Sequence, residues 1–506
     1  ERSASALTAM VTGLNIPTYY DLKNSASTPV TGESKATRRL VGIFASAEFA
    51  YAGTLFLNFT ARNDKSSTLP KASSSFFYPG ATLSYLFSEN LPASARRVIT
   101  FGKLRLAYGK TGNDASPYMV KPYYLQASAY NEFGNLLLPM GGVNGYTLGD
   151  RLGNSHLHPE ISTEYELGAN VGFLDSRIMV DVACYHRTSD GQIFALAIDP
   201  ATGYRAQNSN LGKISNKGVE ALLSLIPVKL RNLSWTLSAS FSKNNSRVES
   251  LPKELGGEIG IDGFSSSATS INMVVREGHA VGEFKVTVPK RTPDGKIVVN
   301  SVNGCPVASP DLGYVGNVNF DFEGGVSNVV KYRELSLSVD VDIRQGGLMY
   351  SRTKSICYFT GNAKQTAYNS RNPFVVKNSV NEVTDAGGNV TGYVENTTPV
   401  DIINMYQYFG SGEDKLEENN LVPRSYVKLR NVSVSYDLPA AWIKATPLKG
   451  VKLSVFGSNL LLWTPAQNTF IDPEVTSFGN DFKSYLGEYS AHPTTRRYGF
   501  NLTVRF

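Results

Sequence analysis

At 506 residues the chain is longer than an ordinary single soluble domain, and 18% of it is charged, below the usual share of about 25%. No stretch approaches the roughly 18 consecutive apolar residues of a transmembrane helix, which excludes that class and leaves transmembrane strands open, since their outward face uses only every second residue. The net charge of +6 is scattered, with no dense Lys/Arg run, and this argues against nucleic acid as a partner.

Taken in chain order, about fourteen segments alternate with a period of two, the signature of strands with one apolar and one polar face. They fall at 3–13, 38–50, 53–63, 78–88, 99–111, 162–174, 177–188, 211–227, 231–245, 317–330, 333–345, 424–437, 450–460 and 494–506. In the ninth, Leu233, Trp235, Leu237, Ala239 and Phe241 alternate with Ser234, Thr236, Ser238 and Ser240. In the last, Tyr498, Phe500, Leu502, Val504 and Phe506 alternate with small, polar or charged residues. About nine to eleven tilted residues span a bilayer as a strand, and aromatic girdles mark both interfaces. The last segment fits that description from ring to ring.

The connections alternate as regularly. Short ones are expected at 51–52, 89–98, 175–176, 228–230, 331–332 and 438–449, and long ones at 14–37, 64–77, 112–161, 189–210, 246–316, 346–423 and 461–493. Antiparallel strands place successive connections at opposite ends, so short turns share one rim and long loops the other. Outer-membrane barrels have this asymmetry, with short periplasmic turns and long extracellular loops. The expected fold is therefore all-β, an antiparallel transmembrane barrel wall, with long extracellular loops at 112–161, 246–316, 346–423 and 461–493. The long loops are rich in Gly, Ser, Asn and Pro, as in GGEIGIDGFSSSATS (256–270). Loops on a rigid scaffold are where recognition usually resides.

Little in the chain points to covalent chemistry. The GKT at 109–111 lacks the Gly that a phosphate-binding loop needs five residues earlier, where Leu104 stands. His156 and His158 have no third partner at ligand spacing. Asp340 and Asp342 share a strand face between valines, which fits lumen solvation better than acid/base work. Asp472-Pro473-Glu474 reads as a loop turn before it reads as a cation site. Cys184, Cys305 and Cys357 are odd in number and far apart, which offers no disulfide framework. No catalytic residue, metal or cofactor is expected, and the chain is not read as an enzyme. In DIINMYQYFG (401–410), Tyr406, Tyr408 and Phe409 are candidates for stacking on a sugar or gripping a peptide, or for contact with a lid, as is Trp463. The alternative for all four is that they pack loops together.

Several blocks resemble a known family. FASAEFAYAGTLFLNFTARNDKSS (44–67), LRLAYGKTGND (104–114), the 152–193 block, NLGKISNKGVEALLSL (210–225), YVKLRNVSVSYDLP (426–439), FGSNLLLWTPAQNTFIDPEV (456–475) and the Tyr498–Phe506 end resemble SusC/RagA-like TonB-dependent outer-membrane transporters, in the same order. The resemblance implies TonB-dependent active import of a large nutrient, glycan or oligopeptide, across the bacterial outer membrane, by a multi-pass barrel. The implied partners are a SusD-like surface lipoprotein, TonB, the barrel assembly machinery, and membrane lipid or lipopolysaccharide. It also implies that Tyr498, Phe500, Leu502, Val504 and Phe506 face lipid and serve as the barrel-assembly signal. The family barrel has about twenty-two strands and an N-terminal plug. Glu1 begins without a plug, TonB box or signal segment, so about eight strands and the plug are expected on another chain, or cleaved from or left out of this one. Other readings stay open: a TonB-dependent siderophore or vitamin receptor, a passive porin or adhesin barrel, and a soluble β-rich binding protein.

Overall fold

The structure, a computed structural model, describes residues 2–11, 13–27, 29–126, 128–131, 134–138, 143–265, 270–409, 416–480 and 482–506. Glu1, Gly410 of the aromatic segment and residues 266–269 of the Gly/Ser-rich stretch lie outside these. Thirteen strands form one sheet in chain order, each bonded to the next. They are β1 (Leu40–Tyr51), β2 (Leu55–Ser66), β3 (Ser75–Tyr85), β4 (Ile99–Asn113), β5 (Glu160–Phe173), β6 (Ile178–Asp190), β7 (Lys213–Lys229), β8 (Leu233–Ser250), β9 (Phe322–Tyr332), β10 (Leu335–Gln345), β11 (Tyr426–Asp437), β12 (Gly450–Trp463) and β13 (Arg497–Arg505). The pairing is antiparallel between β1 and β2 and throughout β8 to β13.

Two expectations are corrected. The first expected strand, 3–13, is not part of this sheet. Arg2–Met10 pairs with Val30–Arg38, which lies in a segment expected to be a connection, in register from Arg2 opposite Arg38 to Met10 opposite Val30. The physical reason is the lack of a large apolar face: Ala4, Ala6 and Thr8 alternate with Ser3, Ser5, Leu7 and Ala9, and all nine residues are exposed. The alternation of short and long connections is also not unbroken. The connection 67–74, expected to be long, is shorter than 86–98, because β2 runs on to Ser66 and β3 begins at Ser75.

The chain divides into two compact units. The first comprises Glu1–Ser84, Leu106–Tyr165 and Arg187–Lys213. Its buried apolar cluster is Leu69, Phe76, Ala115 and Leu157. Beside it the Arg62-x-Asp64-x-Ser66 motif acquires a physical role. Arg62 Nε donates to Asp64 at 2.9 Å and to Tyr78 Oη at 2.8 Å, and Tyr78 in turn donates to Asp64. Ser66 donates to Asp114, which also receives Arg38 Nε at 2.9 Å and Thr68 Oγ1 at 3.0 Å. These bonds satisfy two nearly buried carboxylates that would otherwise be costly to desolvate.

The second unit comprises Tyr85–Arg105, Glu166–His186 and Ile214–Phe506. Its strand register displays the two faces directly. One row runs Trp235, Val330, Leu337, Val434, Val455, Phe500, and the next runs Leu233, Tyr332, Leu335, Tyr436, Leu453, Leu502. On the opposite face Ser238, Ser327, Asp340, Asn431 and Ser458 lie side by side. They are joined by Ser327 to Asp340 at 2.6 Å and Asn431 to Asp340 at 3.3 Å, while Ser238 meets Ser224 at 3.2 Å. An apolar face of this extent with so little over it is characteristic of a surface meant for a non-aqueous neighbour.

The long connections are not mere loops. Glu258–Ser265, Ser270–Arg276, Glu283–Val286 and Gly313–Asn317 form a four-stranded sheet, and Leu421–Pro423, Leu348–Ser351 and Gly487–Glu488 a three-stranded one. Between them lies a buried cluster of Ile271, Met273, Phe284, Val286, Val318, Tyr350, Leu421 and Leu486. A second cluster holds Val299, Cys305, Val376, Val400 and Met405. Gly487 is required where it stands: a Cβ there would strike the backbone of Tyr350, its partner in the ladder.

Candidate functional site

Two places in the second unit concentrate polar and aromatic side chains. The first is on the polar face of the sheet. Between β10 and β11, Asp340 pairs with Asn431 and Val341 with Leu429, so Arg430 is the extra residue of a bulge. A bulge re-aims side chains. Here it lets Tyr426, Lys428 and Arg430 converge on Asp342 of β10 and on Asp472 and Glu474 of the 464–496 connection. Lys428 is 1% exposed, and its Nζ lies 2.8 Å from Asp472 Oδ2 and in contact with Glu474. Arg430 reaches Glu474 with both terminal nitrogens, at 2.7 and 2.6 Å, and also bonds Asp342. Tyr426 Oη donates to Glu474 at 2.9 Å, and Thr494 donates to Asp472. Burial alone would push the Glu474 carboxyl up, but the bonds from Arg430, Lys428 and Tyr426 outweigh it and hold the group down at about 2. A cation this buried is tolerable only when paired in this way.

The network fastens the 464–496 connection to the polar face. Asp472 does form the expected turn, its Oδ1 accepting from Glu474 N at 3.1 Å, and it anchors Lys428 as well. Alongside is a mixed-charge recess of about 490 Å³ whose lining includes Arg105, Asp181, Glu220, Glu323, Asp342 and Arg344. Arg105 bridges Glu166 at 3.0 Å and Asp181 at 2.8 Å. Such a surface offers donors and acceptors of both signs and no nucleophile–base pair. Among the described residues no group of three His, Cys, Asp or Glu side chains is placed to hold a metal ion.

The second place is in the 346–425 connection. Tyr406 and Tyr408 lie on a short helix, Met405–Tyr408, with Phe409 just beyond it. Tyr408 meets Phe374 edge-on at 4.9 Å and Phe409 at 5.0 Å, Phe409 meets Tyr358 at 5.4 Å, and Tyr406 meets Phe359 at 6.5 Å. The rings therefore pack loop against loop, and Tyr408 and Phe409 also line a recess of about 640 Å³ together with Tyr368 and Phe374. Trp463 is not in this group. It ends β12 opposite Val427, which itself pairs with Ile343, and it is 53% exposed on the apolar side of the sheet. Tyr498, Phe500, Leu502 and Val504 all fall in β13 on that same side, opposite Gly457, Val455, Leu453 and Val451, and Phe506 follows the strand. The sequence analysis missed Lys428, Arg430, Tyr368 and Phe374 as site residues. The signal available for the first two was a pair of cations flanking Leu429 in a strand that continues on that face with Asn431, Ser433 and Ser435.

Comparison with known proteins follows the same lines. A family model described as TonB dependent receptor-like, beta-barrel, matches residues 8–269, half of the chain. The chain is similar to TonB-dependent receptor P3 of Formosa agariphila, at 25% identity over 521 residues, covering 97% of this chain and 48% of that protein. It is similar to TonB-dependent receptor SusC of Bacteroides thetaiotaomicron, at 25% identity over 272 residues, covering 52% of this chain and 27% of that one. Among solved structures, that of the RagAB peptide transporter aligns with a TM-score of 0.73 at 16% identity, covering 99% of this chain and 52% of that chain, a likeness of fold. The chain thus spans about half the length, or less, of the relatives it matches.

Proposed function

The chain belongs to the TonB-dependent receptor-like β-barrel family, whose members are outer-membrane transporters, and from that premise we propose that it is the C-terminal wall of an importer for a large nutrient, a glycan or an oligopeptide. The observation that carries this reading is the two-faced sheet: unbroken apolar rows on one side and a hydrogen-bonded polar row on the other. The apolar face meets lipid, and the polar face lines the lumen. Trp463, Tyr498 and Phe500 then belong to the lipid side, and β13 supplies the assembly signal. In the family's barrels further strands and a plug complete the wall. The connections 246–316 and 346–423 form much of the extracellular vestibule, and at least one of them docks a SusD-like lipoprotein. TonB acts through the plug to open the path. No covalent step is involved: the work of these residues is to hold, orient and release.

The test uses the full-length transporter in its native outer membrane. Deleting 401–410 is expected to weaken lipoprotein co-purification or substrate capture while the barrel still assembles. Unchanged values for both would remove this segment from recognition. Uptake that persists without TonB would favour a passive pore, and growth loss confined to iron or vitamin limitation would favour a receptor of that kind.

A further inference from the structure

The recess bounded by Tyr368, Phe374, Tyr408 and Phe409 is more than loop packing. Its walls are apolar, with Ile297, Ala367, Val375 and Val376 between the rings. The rings stand nearly perpendicular to one another, Tyr368 to Phe374 at 83° and Phe374 to Tyr408 at 82°. That arrangement encloses a compact apolar group better than it offers a flat platform. Besides the hydroxyls of Tyr368 and Tyr408, three polar side chains break the apolar lining. Lys364 and Lys377 are exposed, and neither forms an ion pair among the described residues. Gln365 Oε1 is buried and meets no donor, although a buried acceptor normally finds one.

The segment beside the recess is held in an unusual backbone conformation. Asn369, Ser370 and Arg371 have φ of 48°, 54° and 62°, three successive non-glycine residues in the left-handed region. Arg371 pins it by donating to Gly361 O at 2.8 Å, and Asn369 by donating to Asn372 O and Pro373 O. Residues held this way cluster at ligand clamps, where the surrounding structure fixes the strained form. Here the conformation places Tyr368 against Phe374.

We propose that this recess seats the C-terminal residue of an oligopeptide that carries an apolar or aromatic side chain. The side chain enters between the rings. The free carboxylate faces Lys364 and Lys377, and a peptide N–H donates to Gln365 Oε1. A neutral sugar could bond the polar side chains of the rim, but the hydroxyls of a ring seated between the aromatic walls would face valine, isoleucine and ring edges, and it carries no anion for the two lysines. The inference rests on the import reading above and narrows it to peptides.

The experiment compares binding to the full-length transporter, by calorimetry, of the pentapeptide Ala-Ala-Ala-Ala-Phe as the free acid and as the C-terminal amide, with a neutral maltooligosaccharide and a uronate-containing oligosaccharide alongside. The free acid is expected to bind about tenfold more tightly than the amide, and the K364Q/K377Q double variant to bring the two within about twofold. Both lysines are exposed, so the variant is expected to fold. Equal binding of acid and amide, a preference that survives loss of both lysines, or binding of the oligosaccharides alone would each overturn the assignment. TonB-dependent uptake measured in the same cells separates the two levels. Uptake that continues with no peptide preference overturns the recess and leaves the import reading standing, whereas no TonB-dependent uptake of any probe overturns both.

Discussion

The sheet and the folded connections use the same side chains in opposite ways. In β13 Phe500 is 84% exposed, while in the connections Phe284 and Tyr350 are fully buried. The sheet turns its rings and aliphatic chains outward in rows and keeps serines, Asp340 and Asn431 for its other side. The connections gather Ile271, Met273, Phe284 and Leu486 into a core, as a water-soluble domain does. The difference teaches that hydrophobic burial is set by the solvent each region meets. For the connections that solvent is water, and the apolar residues must find each other. On the proposed reading the sheet's solvent is lipid, and there the apolar residues need only point outward. One chain thereby carries two folding problems with opposite solutions.

The largest expected effect breaks the water-side solution. Phe284→Ala should cost the connection domain about 3–5 kcal/mol, since it empties the centre of a closed cluster. Limited proteolysis of the native protein should show cleavage within 251–321, while the heat-dependent gel shift of the folded barrel stays as it was. Loss of the barrel itself would show that the two regions are not separable.

The next breaks the lipid-side solution. Leu237→Arg should cost about 2–4 kcal/mol if the residue lies near the bilayer midplane, and Ser238→Arg far less. Denaturant titration of protein folded into vesicles gives both numbers. Equal costs would mean that the sheet does not separate lipid from lumen.

A third sharpens the join between the regions, where Glu474 fixes the 464–496 connection to β11. Its carboxyl is held at about 2 by Arg430, Lys428 and Tyr426, below its value in an unfolded chain. The unfolded chain therefore binds the proton first as pH falls, and the stabilisation is complete above about pH 5 and lost as pH drops toward 2. Glu474→Gln should remove about 2 kcal/mol at neutral pH and flatten that acid limb, as read from the pH dependence of unfolding.

The smallest concerns Lys354, a cation in the water-side core. It donates to Leu421 O at 3.3 Å and faces Tyr358 and Phe470, and burial lowers its ammonium to about 8. Between about pH 8 and its unfolded value the unfolded chain holds more protons, so stability rises with pH across that window and the cost of the buried charge is full below it. Lys354→Met should stabilise the connection domain by about 1 kcal/mol at neutral pH, since Met keeps the ring contacts without the charge. A melting point unchanged from pH 7 to 10 in the parent protein would contradict this.

The sheet was legible in the sequence because its pattern is local. Apolar residues repeat every second position within one strand, and Leu233 to Phe241 display the rule in nine residues. Arg2–Met10 misled because small residues also alternate without forming a face. The connection core was not legible, since Ile271, Phe284, Val318, Tyr350, Leu421 and Leu486 come from segments separated by long intervals, and no short window shows them meeting. The same holds for Lys428 and Glu474, 46 positions apart, and for the bulge at Arg430, which shows itself only in the register of neighbouring strands. The rings at 406, 408 and 409 were found as exposed candidates, whereas Tyr368 and Phe374, which complete their recess, carried no local signal.

The separation of lipid from water across this sheet is most directly tested along β11. A nitroxide placed in turn at positions 432 to 435 of the membrane-embedded protein reports its surroundings through collision with oxygen, which concentrates in lipid, and with a water-soluble nickel chelate. Val432 and Val434 should be open to oxygen and shielded from nickel, and Ser433 and Ser435 the reverse. The same accessibility at all four positions would contradict the claim that one face of this sheet meets lipid and the other water.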